Sequence, residues 1–204
     1  MPEYRRAFVP GGTFFVTIVT HMRRPLFAEV SNVVTLYVAI QKTQEERPFT
    51  MVAYVVLPDH MHVIWKLPPN DSDFSTRVGR MKALFTKSVR KECGGQRPPL
   101  EIGGQCPPYV GERSPSQVKH RESGLWQRRF WEHTIRDEDD FERHVNYIHY
   151  NPVKHELATC PHAWRESSFM DWVHDGVYAH DWYCRCEGRH PVTVVEDMVE
   201  TAGE

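Results

Sequence analysis

A short run near the middle of the chain places two histidines where they could bind a metal. Residues 54–68 read YVVLPDHMHVIWKLP, two apolar segments around a Pro-Asp pair, and this pattern predicts two strands joined by a tight turn. Alternate strand residues point to opposite faces, so His60 and His62 share one face. Two imidazoles at this spacing suit a divalent metal. Because His-x-His is short and common, two ordinary strand histidines are the alternative interpretation.

A second group of reactive side chains falls on a predicted helix. Residues 137–152 (DEDDFERHVNYIHYNP) begin with an acidic turn that suits the helix dipole and end at Asn-Pro. Tyr147 and Asn151 are four residues apart and therefore stack on one side of the helix, with His144 beside them. Tyr150 points about 100° round from Asn151. A phenol can act as a nucleophile, and an amide oxygen is a suitable ligand for a hard cation.

Two of these residues also have simpler interpretations. Asn151 precedes a proline, and an asparagine at that position commonly ends a helix with its side chain on nearby backbone. His144 could assist proton transfer to or from Tyr147, but it could equally be an exposed helix histidine. The sequence alone leaves both alternatives open.

Three basic stretches are candidate contacts for nucleic acid. The predicted helix from Asp71 to about Lys91 carries four cations within about 80° of each other, which could follow a phosphate backbone or form a solvated face. Residues 125–136 (LWQRRFWEHTIR) predict a fourth strand and interleave arginines with aromatic rings, which suits phosphates and bases, although a core-facing aromatic strand with exposed arginines is the alternative. A basic arm opens the chain. The candidate DNA-binding residues are Arg5, Arg6, Arg77, Arg80, Lys87, Lys91, Arg128 and Arg129.

The composition is that of one globular domain. The chain has 204 residues and a formal net charge of -2, so any nucleic-acid surface must be a local patch. No signal peptide or membrane-length apolar run is present, and a cytoplasmic location with no membrane partner is expected. The five cysteines suggest no paired framework, so free thiols are expected. Cys184-Arg185-Cys186 is a weak candidate for metal binding.

The order of predicted elements is β-α-β-β-α-insert-β-α, which indicates an α+β fold of the ferredoxin-like, split β-α-β type. The first two helices should cover the apolar face of the antiparallel sheet, the face that carries Met61, Val63 and Trp65. The last helix should lie near the histidine face. Residues 1–186 are predicted to form the single domain. Within it, residues 93–124 are Gly- and Pro-rich and predict a flexible insert, and residues 187–204 predict a disordered acidic tail.

Two motifs together resemble a known family. HMH after VVLPD, followed by WQRRFWEHTIRDEDDFERHVNYIHYNPVKH, resembles the REP-associated tyrosine transposases, relatives of the single-tyrosine insertion-sequence transposases in the HUH nuclease superfamily. The resemblance implies an HUH endonuclease fold in which His60 and His62 bind a divalent metal, Mg²⁺ or Mn²⁺. It also implies that Tyr147 is the nucleophile and that Asn151 stands where related enzymes place a third polar ligand.

The same resemblance implies an activity and a substrate. Members of the family cleave and rejoin single-stranded DNA next to palindromic hairpin repeats through a covalent 5′-phosphotyrosine, the chemistry of DNA transposition, and a monomer is expected. The alternative function is a non-cleaving regulatory protein that binds hairpin DNA or RNA. RNA binding has less support, because the basic-aromatic pattern of RNA-binding ferredoxin-like sheets is not evident on the strands.

Overall fold

A computed structural model describes residues 9–92 and 124–185. Arg5, Arg6, the acidic tail and all but the last residue of the predicted insert lie outside these ranges, so the predictions for them stay predictions. The strands are β1 (Thr13–Val19), β2 (Thr50–Val56), β3 (His60–Lys66) and β4 (Trp131–Thr134), and the helices are α1 (Val30–Glu46), α2 (Phe74–Glu92), α3 (Glu138–Lys154) and α4 (Phe169–His174). Short 3-10 turns cover residues 21–23, 26–28 and 161–163.

The four strands form one antiparallel sheet in the order β2-β3-β1-β4. This is the order that a split β-α-β unit with an added edge strand produces, and the predicted fold class is confirmed. The turn between β2 and β3 is closed by a hydrogen bond of 2.8 Å from the Leu57 N–H to the His60 carbonyl. Central strand β3 pairs with β1 on one side and β2 on the other, which fixes His62 opposite both Thr17 and Val55.

Strand alternation divides the core as predicted. Met61, Val63 and Trp65 are buried on one face beneath α1 and α2, in a cluster that includes Phe74 and Phe85 of α2. The other face carries a smaller cluster, which joins the sheet to α3 and consists of Phe15, Ala53, Val55, Leu57, Ile64, Val145, Tyr147 and Ile148. Helix α3 therefore lies over the histidine face, and its buried side decides which of its residues reach the histidines.

Arg77 is a structural residue, and the prediction that it belongs to an exposed cationic stripe is wrong. Its side chain is 1% exposed although it stands in the middle of a charged helix. The guanidinium donates to the carbonyls of Arg47 and Pro48, at 3.2 and 2.8 Å, and to the Asp71 carboxylate at 2.6 Å. It thereby satisfies carbonyls that follow the end of α1 and ties them to the start of α2.

Two cysteines are paired, so the prediction of free thiols is wrong for them. Cys160, which follows α3, forms a disulfide with Cys184. The two are 24 residues apart in the sequence, and only the return of the chain past α4 brings them together. In the part of the chain that the structure describes, no helix is long and apolar enough to span a bilayer.

Candidate active site

Both predicted metal-binding histidines are buried on the same face of β3, with ring centroids 4.9 Å apart. Nδ1 of His60 lies 2.5 Å from a carboxylate oxygen of Asp59. Because a carboxylate can only accept, this bond protonates Nδ1 and leaves the lone pair on Nε2. Nδ1 of His62 is 2.9 Å from the Thr17 hydroxyl on β1. Fixing one ring nitrogen so that the other can bind is how metal-ligating histidines are oriented in proteins.

The Asp59 carboxyl is held in its charged form. Burial alone would raise its pKa, but hydrogen bonds with His60 and Arg23 together outweigh burial and lower the pKa. The Arg23 guanidinium lies 3.1 Å from the second carboxylate oxygen. Asp59 therefore stays an acceptor for His60 over the whole neutral range.

Helix α3 presents a line of side chains to the two histidines. The ring of Tyr147 packs edge-on against His62, with centroids 5.1 Å apart. At the other end of the line, the ring of His155 lies 5.6 Å from that of His60. Asn151 is four residues from each, on the same side of the helix, so it stands between two side chains that both contact the histidine pair. The structure thus brings together His60, His62, Tyr147 and Asn151, the four residues that the sequence predicted to lie near one another, and adds His155 to them.

Asn151 is fully buried. Within the described residues, neither its amide oxygen nor its amide nitrogen has a hydrogen-bond partner. The alternative reading, in which its side chain bonds nearby backbone, therefore finds no support there, although its carbonyl accepts from the His155 N–H at 3.0 Å. A buried polar group without a partner costs about 1–3 kcal/mol, so an unpaired amide at this position fits a group that awaits a ligand. The donor set, two imidazoles and an amide oxygen, suits a small divalent cation.

His144 is buried, so the interpretation of an exposed helix histidine is wrong. Its Nδ1 donates to the Asp140 carbonyl at 2.7 Å, and its ring stacks on that of His133 with centroids 4.5 Å apart. Burial lowers its pKa, so the ring is neutral at pH 7. His133, Asp140 and His144 bring three potential metal-binding atoms within 4.8 Å of one another, a second group that could hold an ion.

Several residues of the site were not found from the sequence. Lys154 follows Tyr147 by seven residues, which is two helical turns, and its Nζ lies 3.4 Å from the Tyr147 hydroxyl and 4.9 Å from the ring centroid. Helical spacing could have identified it. His155, which caps the end of α3 four residues after Asn151, could have been identified in the same way. Thr17 and Asp59 are contributed by other elements, and no local pattern marks them. Tyr150 faces elsewhere, as predicted, and receives a hydrogen bond from Arg185.

The remaining predicted cations lie at the surface. All five are exposed, and Arg80 is in addition paired with Glu46 at 2.6 Å; the other four are Lys87, Lys91, Arg128 and Arg129. The segment with Arg128 and Arg129 crosses an edge of the sheet. Before it, Trp126 packs against Phe85 under α2, and after it, Trp131 packs against Phe15 on the histidine face. These two arginines therefore lie along the edge that joins the cationic helix to the site.

Comparison with known proteins identifies the family. No family model matches the chain. A curated protein of Haemophilus influenzae, provisionally named REP-associated tyrosine transposase, is 38% identical over 187 residues, which cover 89% of this chain and 93% of that protein. The REP-associated tyrosine transposase of Escherichia coli is 37% identical over 182 residues, which cover 89% and 91% of the two chains. The chain belongs to the REP-associated tyrosine transposases.

A solved structure agrees with this assignment. A REP-associated tyrosine transposase, described as bound to a REP hairpin, superposes with a TM-score of 0.70 at 35% identity and covers 95% of this chain and 99% of its own. The resemblance read from the motifs is therefore confirmed. As a REP-associated tyrosine transposase, the chain is of the transposase kind, and its site residues can be interpreted for that chemistry.

Proposed function

We propose that this transposase is a metal-dependent endonuclease and strand transferase, which cleaves and rejoins single-stranded DNA beside palindromic hairpins through a covalent 5′-phosphotyrosine. The observation that supports it most is the position of Tyr147, whose ring packs on His62 from α3. The same helix carries the Asn151 amide, which has no hydrogen-bond partner among the residues that the structure describes. A hydrolase would need only water at this point, so a phenol placed beside metal-type ligands favours strand transfer.

His60, His62 and Asn151 would hold the divalent ion, Mg²⁺ or Mn²⁺. When bound, the ion supplies positive charge to neutralise the scissile phosphate, whose own negative charge otherwise resists attack. The protein's own role is to orient the ligands. Asp59 and Thr17, on or beside the strands, would hold the two imidazoles by hydrogen bonds to their Nδ1 atoms.

Tyr147 would act as the nucleophile. Its oxygen forms a bond to phosphorus, the bond from phosphorus to the 3′ oxygen breaks, and the 3′ oxygen takes up a proton as a free hydroxyl. The phenol proton must leave as the new bond forms, and we propose His144, neutral and one turn earlier on the helix, as the group that assists. Because the phosphodiester energy is kept in the phosphotyrosine, a second 3′ hydroxyl can reverse the step without ATP.

The proposed DNA surface is the cationic edge described above. Lys87, Lys91, Arg128 and Arg129 would contact phosphates, together with Arg80, Arg5 and Arg6, and the hairpin of the solved relative is the model for the substrate. Arg77 is not included, because its guanidinium is already bonded within the protein. We propose that the enzyme acts as a monomer in the cytoplasm.

The competing function is a protein that binds the hairpin without cutting it. The test is to incubate the protein and a 3′-labelled single strand carrying a hairpin with Mg²⁺ or Mn²⁺, and to separate the products on a denaturing gel, because the 5′-phosphotyrosine holds the fragment that carries the 3′ end. The proposal expects a protein–DNA adduct with the wild type, none with Tyr147→Phe, and none with His62→Ala at ordinary metal concentration. Binding on a native gel should survive in Tyr147→Phe, because one hydroxyl is removed and the cationic surface is kept.

Tyr150→Phe is the matched control, since Tyr150 is on the same helix but faces Arg185. It should form the adduct as the wild type does. Native-gel binding by the wild type with no adduct under either metal would instead establish the non-cleaving function.

A further inference from the structure

A cluster of metal-type ligands lies outside the active site, where the chain returns after α3. Cys160, His162 and Cys184 each place one ligand atom within 4.8 Å of the others. Cys160 is fully buried, and the other two are half-buried, so the cluster is shielded on one side and reachable on the other. In the structure the two sulfurs are joined as a disulfide.

The imidazole of His162 is held as a metal-binding histidine is held. Its Nδ1 lies 3.1 Å from the carbonyl oxygen of His180, which can only accept, so Nδ1 carries the proton and Nε2 carries the lone pair. The ring also stacks on that of His180, with centroids 4.2 Å apart. A backbone carbonyl bonded to the second ring nitrogen is the usual outer support of a ligating histidine.

We propose that, once the disulfide is reduced, Cys160, Cys184 and His162 form a zinc site. Two thiolates and an imidazole are the ligands that Zn²⁺ selects over the hard cations Mg²⁺ and Mn²⁺. With Zn–S bonds of about 2.3 Å, the ligand atoms of a tetrahedral site lie roughly 3.5 to 4 Å apart, which is within the spread of this cluster. The three described ligands supply three of the four positions of such a site.

The two forms of the cluster are related by a balanced exchange. A thiol reductant supplies two electrons and becomes a disulfide itself, the bond between Cys160 and Cys184 breaks, and each sulfur takes up a proton. Zinc binding then displaces the two thiol protons, because only thiolates are ligands. The cluster is thus cross-linked by sulfur under oxidising conditions and by metal under reducing conditions.

Either cross-link, the disulfide or the zinc ion, holds residues 183–185 close to α3, the helix that carries Tyr147. The Arg185 N–H donates to the Thr159 carbonyl at 2.8 Å, and its guanidinium donates to the hydroxyl of Tyr150 on α3. Tyr183 packs against the same tyrosine, with ring centroids 5.6 Å apart. Reduction without metal would remove the cross-link that holds residues 183–185 near α3. Bound zinc would replace that cross-link and keep these residues in place in a reducing compartment.

The test uses Co²⁺ as a spectroscopic substitute for Zn²⁺ on the full chain. After reduction with a phosphine, the wild type should bind one Co²⁺ with a thiolate-to-cobalt charge-transfer band and the visible bands of tetrahedral Co²⁺. The active-site ligands contain no sulfur and cannot give the first band. Before reduction the band should be missing, and Zn²⁺ should bleach it after reduction.

Variants assign the ligands. Cys184→Ser and His162→Ala should each lower Zn²⁺ affinity by at least about 100-fold in competition with a chromophoric chelator, because outer supports alone contribute about 10- to 100-fold. His162→Cys should restore binding, and Cys93→Ser should bind as the wild type does. His162→Ala removes no core side chain, so it remains informative if Cys160→Ser fails to fold. A reduced wild type without the charge-transfer band, or a Cys184→Ser protein that keeps it, would overturn the proposal.

Discussion

The ammonium of Lys154 lies 3.4 Å from the hydroxyl oxygen of Tyr147, two turns away on the same side of α3. It also lies 4.9 Å from the centre of the tyrosine ring. A cation at this distance stabilises negative charge on the phenol oxygen, and two unit charges about 4 Å apart interact by about 1 kcal/mol in water and about 4 kcal/mol near a protein surface. On the proposed role of Tyr147 as the nucleophile, Lys154 would stabilise the charge that its oxygen carries during attack.

Replacing this cation should slow cleavage. Lys154→Met keeps the aliphatic stem and removes the charge, so the rate of adduct formation should fall by about tenfold or more, each 1.4 kcal/mol being a factor of ten. Lys154→Arg is the matched control and should stay within a few-fold of the wild type. Single-turnover rates on the labelled hairpin strand measure both, and a Met variant at the wild-type rate would show that the contact has no part in the chemistry.

Asn151 should control the amount of metal that cleavage needs. Asn151→Ala should raise the Mg²⁺ concentration for half-maximal cleavage by about tenfold or more, and Asn151→Asp should lower or preserve it, because a carboxylate is the stronger ligand for a hard cation. In the presence of a chelator, Asn151→Leu should be at least as stable as the wild type, since it removes buried unpaired groups that cost about 1–3 kcal/mol. An Ala variant that titrates like the wild type would leave the metal with only the two histidine ligands.

Arg77 and Lys87 are on one helix but should respond oppositely to mutation. Arg77→Met should lower the free energy of unfolding by about 3 kcal/mol, because it removes a buried charged donor that bonds the carbonyls of Arg47 and Pro48. Lys87→Met should change stability by less than about 0.5 kcal/mol, as surface substitutions do. Urea unfolding measures these changes, and hairpin affinity at two salt concentrations should fall for Lys87→Met. Equal stability of the two variants would contradict the burial of Arg77.

His149 should make the fold sensitive to mild acid. Its ring is fully buried against Phe169 and Trp172, and burial lowers its pKa from 6.5 to about 3. Below pH 6.5 the unfolded chain takes up a proton on this ring and the folded chain does not. The contribution of this ring to the free energy of unfolding is therefore at its full value above pH 6.5 and decreases as the pH falls toward 3. At pH 5.5 the loss should be about 1.2 kcal/mol relative to pH 7.

The matching measurement is urea unfolding at pH 7 and pH 5.5. His149→Phe should lose less stability than the wild type between the two pH values, because it cannot take up the proton. His174→Gln changes an exposed histidine and should follow the wild type. If His149→Phe and the wild type lost the same free energy, the ring would already be protonated in the fold.

Patterns of period two and 3.6 were enough to predict the fold and to predict which residues meet at the candidate site. Alternation along β3 separated His60 and His62 from the oily residues, and helical spacing placed Tyr147 with Asn151. Helical spacing gave a wrong prediction for Arg77. It shows the face of the helix on which a residue lies, but not that a long side chain bends onto carbonyls some 30 residues earlier in the chain. Helical spacing could not show what covers His144 either, since the covering ring of His133 comes from an edge strand.

The pairing of Cys160 with Cys184 could not be predicted from the sequence for a similar reason. The partners are 24 residues apart, and α4 with its flanking turns decides where the second one arrives. Thr17 and Asp59 are also partners fixed by strand register and turn geometry, which short motifs do not encode. Long-range contacts of single side chains are set only when the whole sheet has formed.

The site is divided between two kinds of element, with His60 and His62 in the sheet and Tyr147 and Asn151 on α3. On the proposed ligand set, a divalent ion can bind all its ligands only when α3 is docked, so ion binding and helix docking are thermodynamically linked. Undocking of α3 as a local unfolding unit would separate nucleophile from ligands while the sheet stays folded. The concentration of free divalent ion would then set how long the amides of α3 resist hydrogen exchange, with no DNA present.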